Sequence, residues 1–296
     1  MSKILLVLAL PAGIVLILGM GTALASRSPR PRPPSEESFA QQLHGALWRR
    51  LRLAAARERR STRFDELKPF LLVLVVAVPL LYGAMVLLGL LAEHAGPSID
   101  KPILHWVVRH RIHVWHSAML RGTEVGDKYP IWAAATTAAV CLAVTWRSHR
   151  WLPPLALGAL VLTEHFLTLA INHTVARVPP PGSGGTFPSG GTDRAVAFYG
   201  LIAYLLWREF SGRRRTAIIA GSVVAALGFE EGYSRVYLAV HWFTDVVGGF
   251  VYGCLLATVF IIAVAAVAGP ARGPSATSAP ERMGRGEEQL AQEVPS

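Results

Sequence analysis

The sequence predicts an all-α polytopic membrane protein, with a six-helix core over residues 68–268 and one further transmembrane helix at the N-terminus. Composition is the first reason. Of the 296 residues 52% are hydrophobic and 16% charged, and mean hydropathy is +0.39. Soluble domains carry more charge than this. The second reason is a series of apolar runs at 70–91, 131–146, 155–171, 195–207, 216–229 and 246–268. The first, free of charges, is long enough at about 1.5 Å per residue to cross a hydrocarbon core of roughly 30 Å. Third, the charge between runs is sorted. Arginines crowd the short turns 147–150 and 208–215, and longer mixed segments at 93–130 and 172–194 alternate with them. By the positive-inside rule the arginine turns are cytoplasmic, which puts the other segments on the outer face of a plasma (inner) membrane.

In chain order, residues 1–25 form the N-terminal hydrophobic helix, and Ala23-Leu24-Ala25 has the small-residue pattern of a signal-peptide cleavage site. Against cleavage stand ten arginines between Arg27 and Arg63, opposed by Glu36, Glu37 and Glu58. So much positive charge resists translocation and favours an uncleaved signal anchor. Residues 26–67 are a basic linker, Pro/Arg-rich at 28–34. Over 36–60 an amphipathic helix is expected, with Phe39, Leu43, Leu47 and Leu51 opposite Arg49, Arg50, Arg57 and Arg60; such a helix suits an anionic membrane surface. Segment 93–130 reads as a mixed loop in which 100–121 can form an interfacial helix beside Trp106 and Trp115. Its histidines (94, 105, 110, 113 and 116) lack paired carboxylates, so no metal is expected. Residues 269–296 read as a disordered tail.

The net charge of +10 would suggest nucleic acid in a soluble chain. Beside apolar runs it points to membrane lipids and topology, and nucleic acid is not an expected partner. Cys141 and Cys254 lie in apolar runs and read as buried small hydrophobes, with neither a disulfide nor a metal site indicated. No cofactor is expected, and the oligomeric state stays open.

The chemistry concentrates in Ser234-Arg235…His241…Asp245, just before the last apolar run. Arg235 offers a fork of donors suited to phosphate oxygens, with the Ser234 hydroxyl beside it. His241 and Asp245 stand four apart, so on a helix they share one face and hydrogen-bond. A carboxylate on one imidazole nitrogen fixes the tautomer and frees the other to attack. Ionisable residues between apolar runs are expensive and usually functional. Loop 172–194 joins them on the same face. Its prolines stiffen it and its glycines let N–H groups point at an anion, with Ser189 at the start of the helix that follows.

The pattern SRxxxxxHxxxD, here Ser234, Arg235, His241 and Asp245, resembles the third signature of the type 2 phosphatidic acid phosphatase family, which includes vanadium haloperoxidases. The resemblance implies a nucleophilic His241 oriented by Asp245, with phosphate held by Arg235 and Ser234. Pro188-Ser189-Gly190 resembles the second signature, PSGH, but Gly191 stands where that family has the histidine that protonates the leaving oxygen. Ser189 and Gly190 remain as phosphate-binding candidates. The first signature, KxxxxxxRP, aligns with 172–180, so Asn172 and Pro179 replace its lysine and arginine, while Arg177 and Pro180 remain. Glu230, Glu231, Asp193 and His173 are candidate substitute acids. The expected function is hydrolysis of a lipid phosphate or polyprenyl pyrophosphate at the outer face through a phosphohistidine. The alternative is a weakened or inactive relative that binds lipid phosphate, and a third reading is headgroup transfer between lipids. Restoring histidine at 191 is expected to raise turnover of phosphate monoesters.

Overall fold

The structure, a computed structural model, describes residues 63–146, 149–210 and 212–269. The expected N-terminal helix, most of the basic linker with its amphipathic helix, and the tail lie outside these residues. Seven helices form the described chain: α1 (Arg63–His110), α2 (His113–Gly122), α3 (Lys128–Thr145), α4 (Leu152–Val175), α5 (Gly190–Phe210), α6 (Arg214–Tyr237) and α7 (Phe243–Ala268). No strand occurs among the described residues.

Apolar sequence decides both faces of these helices. On α1, Phe70, Leu81, Met85 and Ala92 are buried in the bundle, whereas Leu72, Val75, Leu80 and Leu87 are exposed. An outward apolar face matches lipid as solvent, and internal backbone hydrogen bonding meets the demand lipid makes. Asp65–His94, Leu152–Val175 and Phe243–Ala268 are long and apolar enough to cross a membrane, by length and composition. At the centre lies α7, packed mainly on α1 and α5. A Cβ on Gly249 would stand 2.7 Å from the Ser189 carbonyl oxygen, and one on Gly253 the same distance from that of Asp193. Only bare backbone lets α7 lie this close to the start of α5.

Three expectations change. Segment 93–130 is mostly helix: α1 continues to His110 and α2 occupies His113–Gly122. Helical pairing satisfies amides that an open loop near lipid would leave bare. The helices α5 and α6 outrun the apolar runs 195–207 and 216–229, so Glu230, Glu231, Ser234 and Arg235 all stand on α6. Cys141 and Cys254 are free and exposed rather than buried. A thiol is apolar enough to face lipid.

The arginine turns gather at one end. His149 Nε2 is 3.7 Å from Glu66 at the start of α1, and Arg208 Nη2 donates to the carbonyls of Ala268 and Gly269 at 2.6 and 2.7 Å. The chain 176–189, α2 and the α6–α7 connection lie at the other end, where the signature residues meet.

Candidate active site

A short reversal delivers the signature. Arg235 lies in the last turn of α6, and Ala239, at φ 57°, turns the chain back. This left-handed conformation costs a non-glycine residue about 1–2 kcal/mol. Trp242 then precedes α7, and Asp245 Oδ2 accepts the Trp242 N–H at 3.0 Å, a carboxylate placed at the positive end of the helix. The expected shared helix face for His241 and Asp245 therefore does not form, because the helix starts after His241. Nδ1 of His241 is 3.8 Å from Asp245 Oδ2, too far for a hydrogen bond, and is buried without a hydrogen-bond partner.

Arg177 is aimed inward by the residue before it. Ala176, at φ 47°, caps α4 and reverses the chain. Nη1 of Arg177 donates to Thr244 Oγ1 at 2.8 Å and to the Asp245 carboxylate; Nη2 donates to the Ala92 carbonyl at 2.9 Å and to Asp100. Asp100 also accepts from Thr244, from its backbone N–H at 2.9 Å and its hydroxyl at 2.7 Å. One guanidinium thus serves two buried carboxylates. The second loop closes on the same group, since Ser189 N–H donates to the Asp245 carbonyl at 3.0 Å. A Cβ on Gly185 would lie 2.9 Å from His241 Nδ1. Beside Arg177, a cleft of about 150 Å³ is lined by Glu93, Asp100, Lys101, Val178 and Trp242, among others.

Arg235 organises a second half. Nε donates to Glu231 Oε1 at 2.7 Å, and Nη2 to Asp127 Oδ1 at 2.8 Å and the Thr123 carbonyl at 3.1 Å. Glu231, fully buried, accepts through Oε2 from Gly126 N–H at 2.9 Å. It stands beyond the apolar run 216–229. Burial pushes its carboxyl up to about 7, although Arg235 opposes the shift. Gly191 opens directly onto this pair: a Cβ there would lie 2.2 Å from Glu231 Oε1 and 2.6 Å from Arg235 Nη2. Histidine at 191 therefore fits only if the side-chain ends of Glu231 and Arg235 move from their present places. Ser189 and Gly191 are two residues apart, at most about 7 Å between Cα atoms, so the start of α5 touches both halves.

The other candidates separate. Ser234 Oγ donates to the Glu231 carbonyl, back into its own helix, at 2.7 Å. The Ser189 hydroxyl accepts from Thr192 at 3.1 Å, and Gly190 lies against Arg194. Glu230 faces Gly122 at the end of α2. Asp193 is buried toward Thr168, 3.4 Å away, and His173 is exposed on α4. Sequence reasoning passed over Asp100, Asp127, Thr244, Gly126 and Arg194. The last bridges the Gly126 carbonyl at 2.9 Å and Glu164 at 3.2 Å. The available signal for Asp100 was an acid inside a helix-forming segment that continues a membrane span.

The PAP2 superfamily model matches residues 165–267. Phosphatidylglycerophosphatase B of Bacillus subtilis (strain 168) is 37% identical over 103 residues, covering 32% of this chain and 49% of the relative. An uncharacterized 22.5 kDa protein in the cps region of Klebsiella pneumoniae is 35% identical over 75 residues, covering 25% of this chain and 34% of the relative. The chain thus spans half or less of the length of these curated relatives. The crystal structure of a transmembrane PAP2-type phosphatidylglycerolphosphate phosphatase from Bacillus subtilis shares the fold, with a TM-score of 0.55 and 24% identity over 62% of this chain and 94% of that one. The match to the PAP2 superfamily lies in residues 165–267, which run from within α4 into the end of α7 and hold His241, Asp245, Arg235 and Arg177.

Proposed function

We propose that the protein is a membrane lipid phosphatase that hydrolyses a lipid phosphate or polyprenyl pyrophosphate at the outer face through a phosphohistidine on His241. The observation that carries this reading is the position of His241. Its Nδ1 is buried beside Asp245, and Asp245 is braced by Arg177, at the bundle end opposite the arginine turns. A slight closure brings the 3.8 Å separation within hydrogen-bond range, as catalytic contacts tighten on substrate binding. The carboxylate then fixes the tautomer, and Nε2 attacks phosphorus. Arg235 and the N–H groups at the start of α5 supply donors for the phosphate oxygens. The name of the Bacillus subtilis relative makes phosphatidylglycerophosphate one substrate to test, beside phosphatidic acid and polyprenyl pyrophosphate.

Turnover of these three by the purified protein, compared with His241→Ala, tests the proposal. Turnover abolished in the variant supports it, and equal turnover in both refutes phosphohistidine chemistry. A second reading, a lipid-phosphate binder without turnover, is favoured by one observation: both guanidinium groups are already paired with carboxylates. It predicts no turnover in wild type, binding lost in Arg235→Ala and binding retained in His241→Ala. Topology is tested by reporters after Ser211, expected cytoplasmic, and within 182–185, expected outside. The opposite pattern would overturn the placement of the site.

A further inference from the structure

We propose that Glu231 is the proton donor to the leaving oxygen, with Gly191 kept bare to give its carboxyl access to the phosphate space. The proposal rests on the phosphatase reading above. An alkoxide leaves phosphorus poorly, so cleavage of a monoester requires an acid within reach of the bridging oxygen. Among the four candidate acids, Glu231 alone touches the guanidinium that faces Gly191. His173 is exposed, Glu230 turns to α2, and Asp193 is buried toward Thr168.

The packing around Glu231 is built rather than incidental. Its Oε1 lies 2.2 Å from where the Cβ of residue 191 would stand, so carboxylate and side chain compete for one volume. A Cβ on Gly126 would meet the Gly191 carbonyl oxygen at 2.1 Å and Glu231 Cδ at 2.8 Å. Two glycines therefore make the pocket that the carboxyl fills, and Gly126 N–H and Arg235 Nε hold it there. The groups facing it are Arg235 on its own helix, Asp127 and Gly126 from the α2–α3 connection, and Tyr199 from α5. Burial outweighs Arg235 and raises the carboxyl to about 7, so part of it carries a proton at neutral pH.

The step balances as follows. Nε2 of His241 attacks phosphorus, the P–O bond breaks with its electron pair on the leaving oxygen, and that oxygen takes the Glu231 proton. Water then attacks the phosphohistidine, giving its proton to the Glu231 carboxylate while the P–N electrons return to His241.

The test uses the full-length protein in detergent with phosphatidic acid and polyprenyl pyrophosphate, from pH 5 to 9. Monoester turnover should fall in wild type as pH rises through about 7. Glu231→Gln should lose about 10²-fold or more of it, lose the high-pH limb, and lose less toward the pyrophosphate, whose leaving group needs no full protonation. Gly191→His should be defective alone. Combined with Glu231→Gly, which vacates the volume, it should recover monoester turnover with a limb near the imidazole value of about 6.5. Should Glu231→Gln fail to fold, Glu231→Asp must keep a high-pH limb. Wild-type turnover with Glu231→Gln unchanged in rate and profile, or a double variant no better than Glu231→Gly, overturns this proposal alone. Turnover absent from wild type, or unchanged in His241→Ala, instead overturns the phosphatase reading beneath it.

Discussion

Arg177 and Asp100 give an ordering that charge counting alone predicts. The Arg177 side chain is 5% exposed and those of Asp100 and Asp245 are each 1% exposed, so the cluster is one cation against two buried anions. Changing Arg177 to Gln leaves the two carboxylates facing one another without a counter-charge. Breaking a buried pair in this way costs about 3–5 kcal/mol. Changing Asp100 to Asn leaves Arg177 and Asp245 as a neutral pair, and the amide oxygen can still accept the Thr244 N–H. The loss is then the charge-assisted hydrogen bond from Arg177, about 1.5–3 kcal/mol, and the one from the Thr244 hydroxyl, about 0.5–1.5 kcal/mol, offset by relief of the repulsion between the aspartates. Arg177→Gln should therefore melt well below Asp100→Asn in detergent, at roughly 2–4 °C per kcal/mol. In the double variant the losses should add to less than their sum, with a coupling of about 0.5–3 kcal/mol. Circular dichroism melts of the four proteins in one detergent measure both quantities. Asp100→Asn melting at or below Arg177→Gln would refute the charge account, and strict additivity would show that the contact carries no energy.

Three other changes probe the same end of the bundle. Gly126→Ala should destabilise by about 1–3 kcal/mol through overpacking, because its Cβ meets backbone at 2.1 Å; a detergent melt equal to wild type would contradict this. Gly158→Ala is the counterpart within α4, where nothing lies within 4 Å of the new Cβ. It should stabilise by about 0.5–1 kcal/mol and leave turnover unchanged. Asp127→Asn should lower KM for a phosphate lipid several-fold with kcat nearly constant, and steady-state kinetics at fixed detergent will show whether it does.

The helices were legible because lipid imposes a simple rule on composition, and the signature was legible because charge beside an apolar run has few bland explanations. What stayed hidden was partnership. Asp100 pairs with an arginine 77 residues away, and Asp127 with one 108 residues away; no local pattern reports such contacts. The i,i+4 spacing of His241 and Asp245 misled for a local reason. The same spacing serves a continuous helix or a helix that starts between the two, and the Asp245 carboxylate, by accepting the Trp242 N–H, selects the second. Gly191 read as a loss from the sequence. In three dimensions its missing side chain is the space that Glu231 occupies.

The carboxylates also determine where an anion enters. A phosphate dianion needs donors that its own site has not already spent, and each guanidinium here holds two acids. Three of those four acids, Asp100, Asp245 and Glu231, are at most 1% exposed, so none can swing into water without leaving a buried cation or backbone donor bare. Asp127 differs: its side chain is 49% exposed. A pair that open to solvent contributes only about 0.2–1 kcal/mol, less than a bidentate phosphate returns. On the proposed reading, Asp127 is therefore the group that a substrate displaces from Arg235. Arg177, locked between Asp100 and Asp245, instead positions the aspartate behind His241. The same distinction sets the sign of the Asp127→Asn effect, because freeing Arg235 favours the anion and leaves His241 untouched.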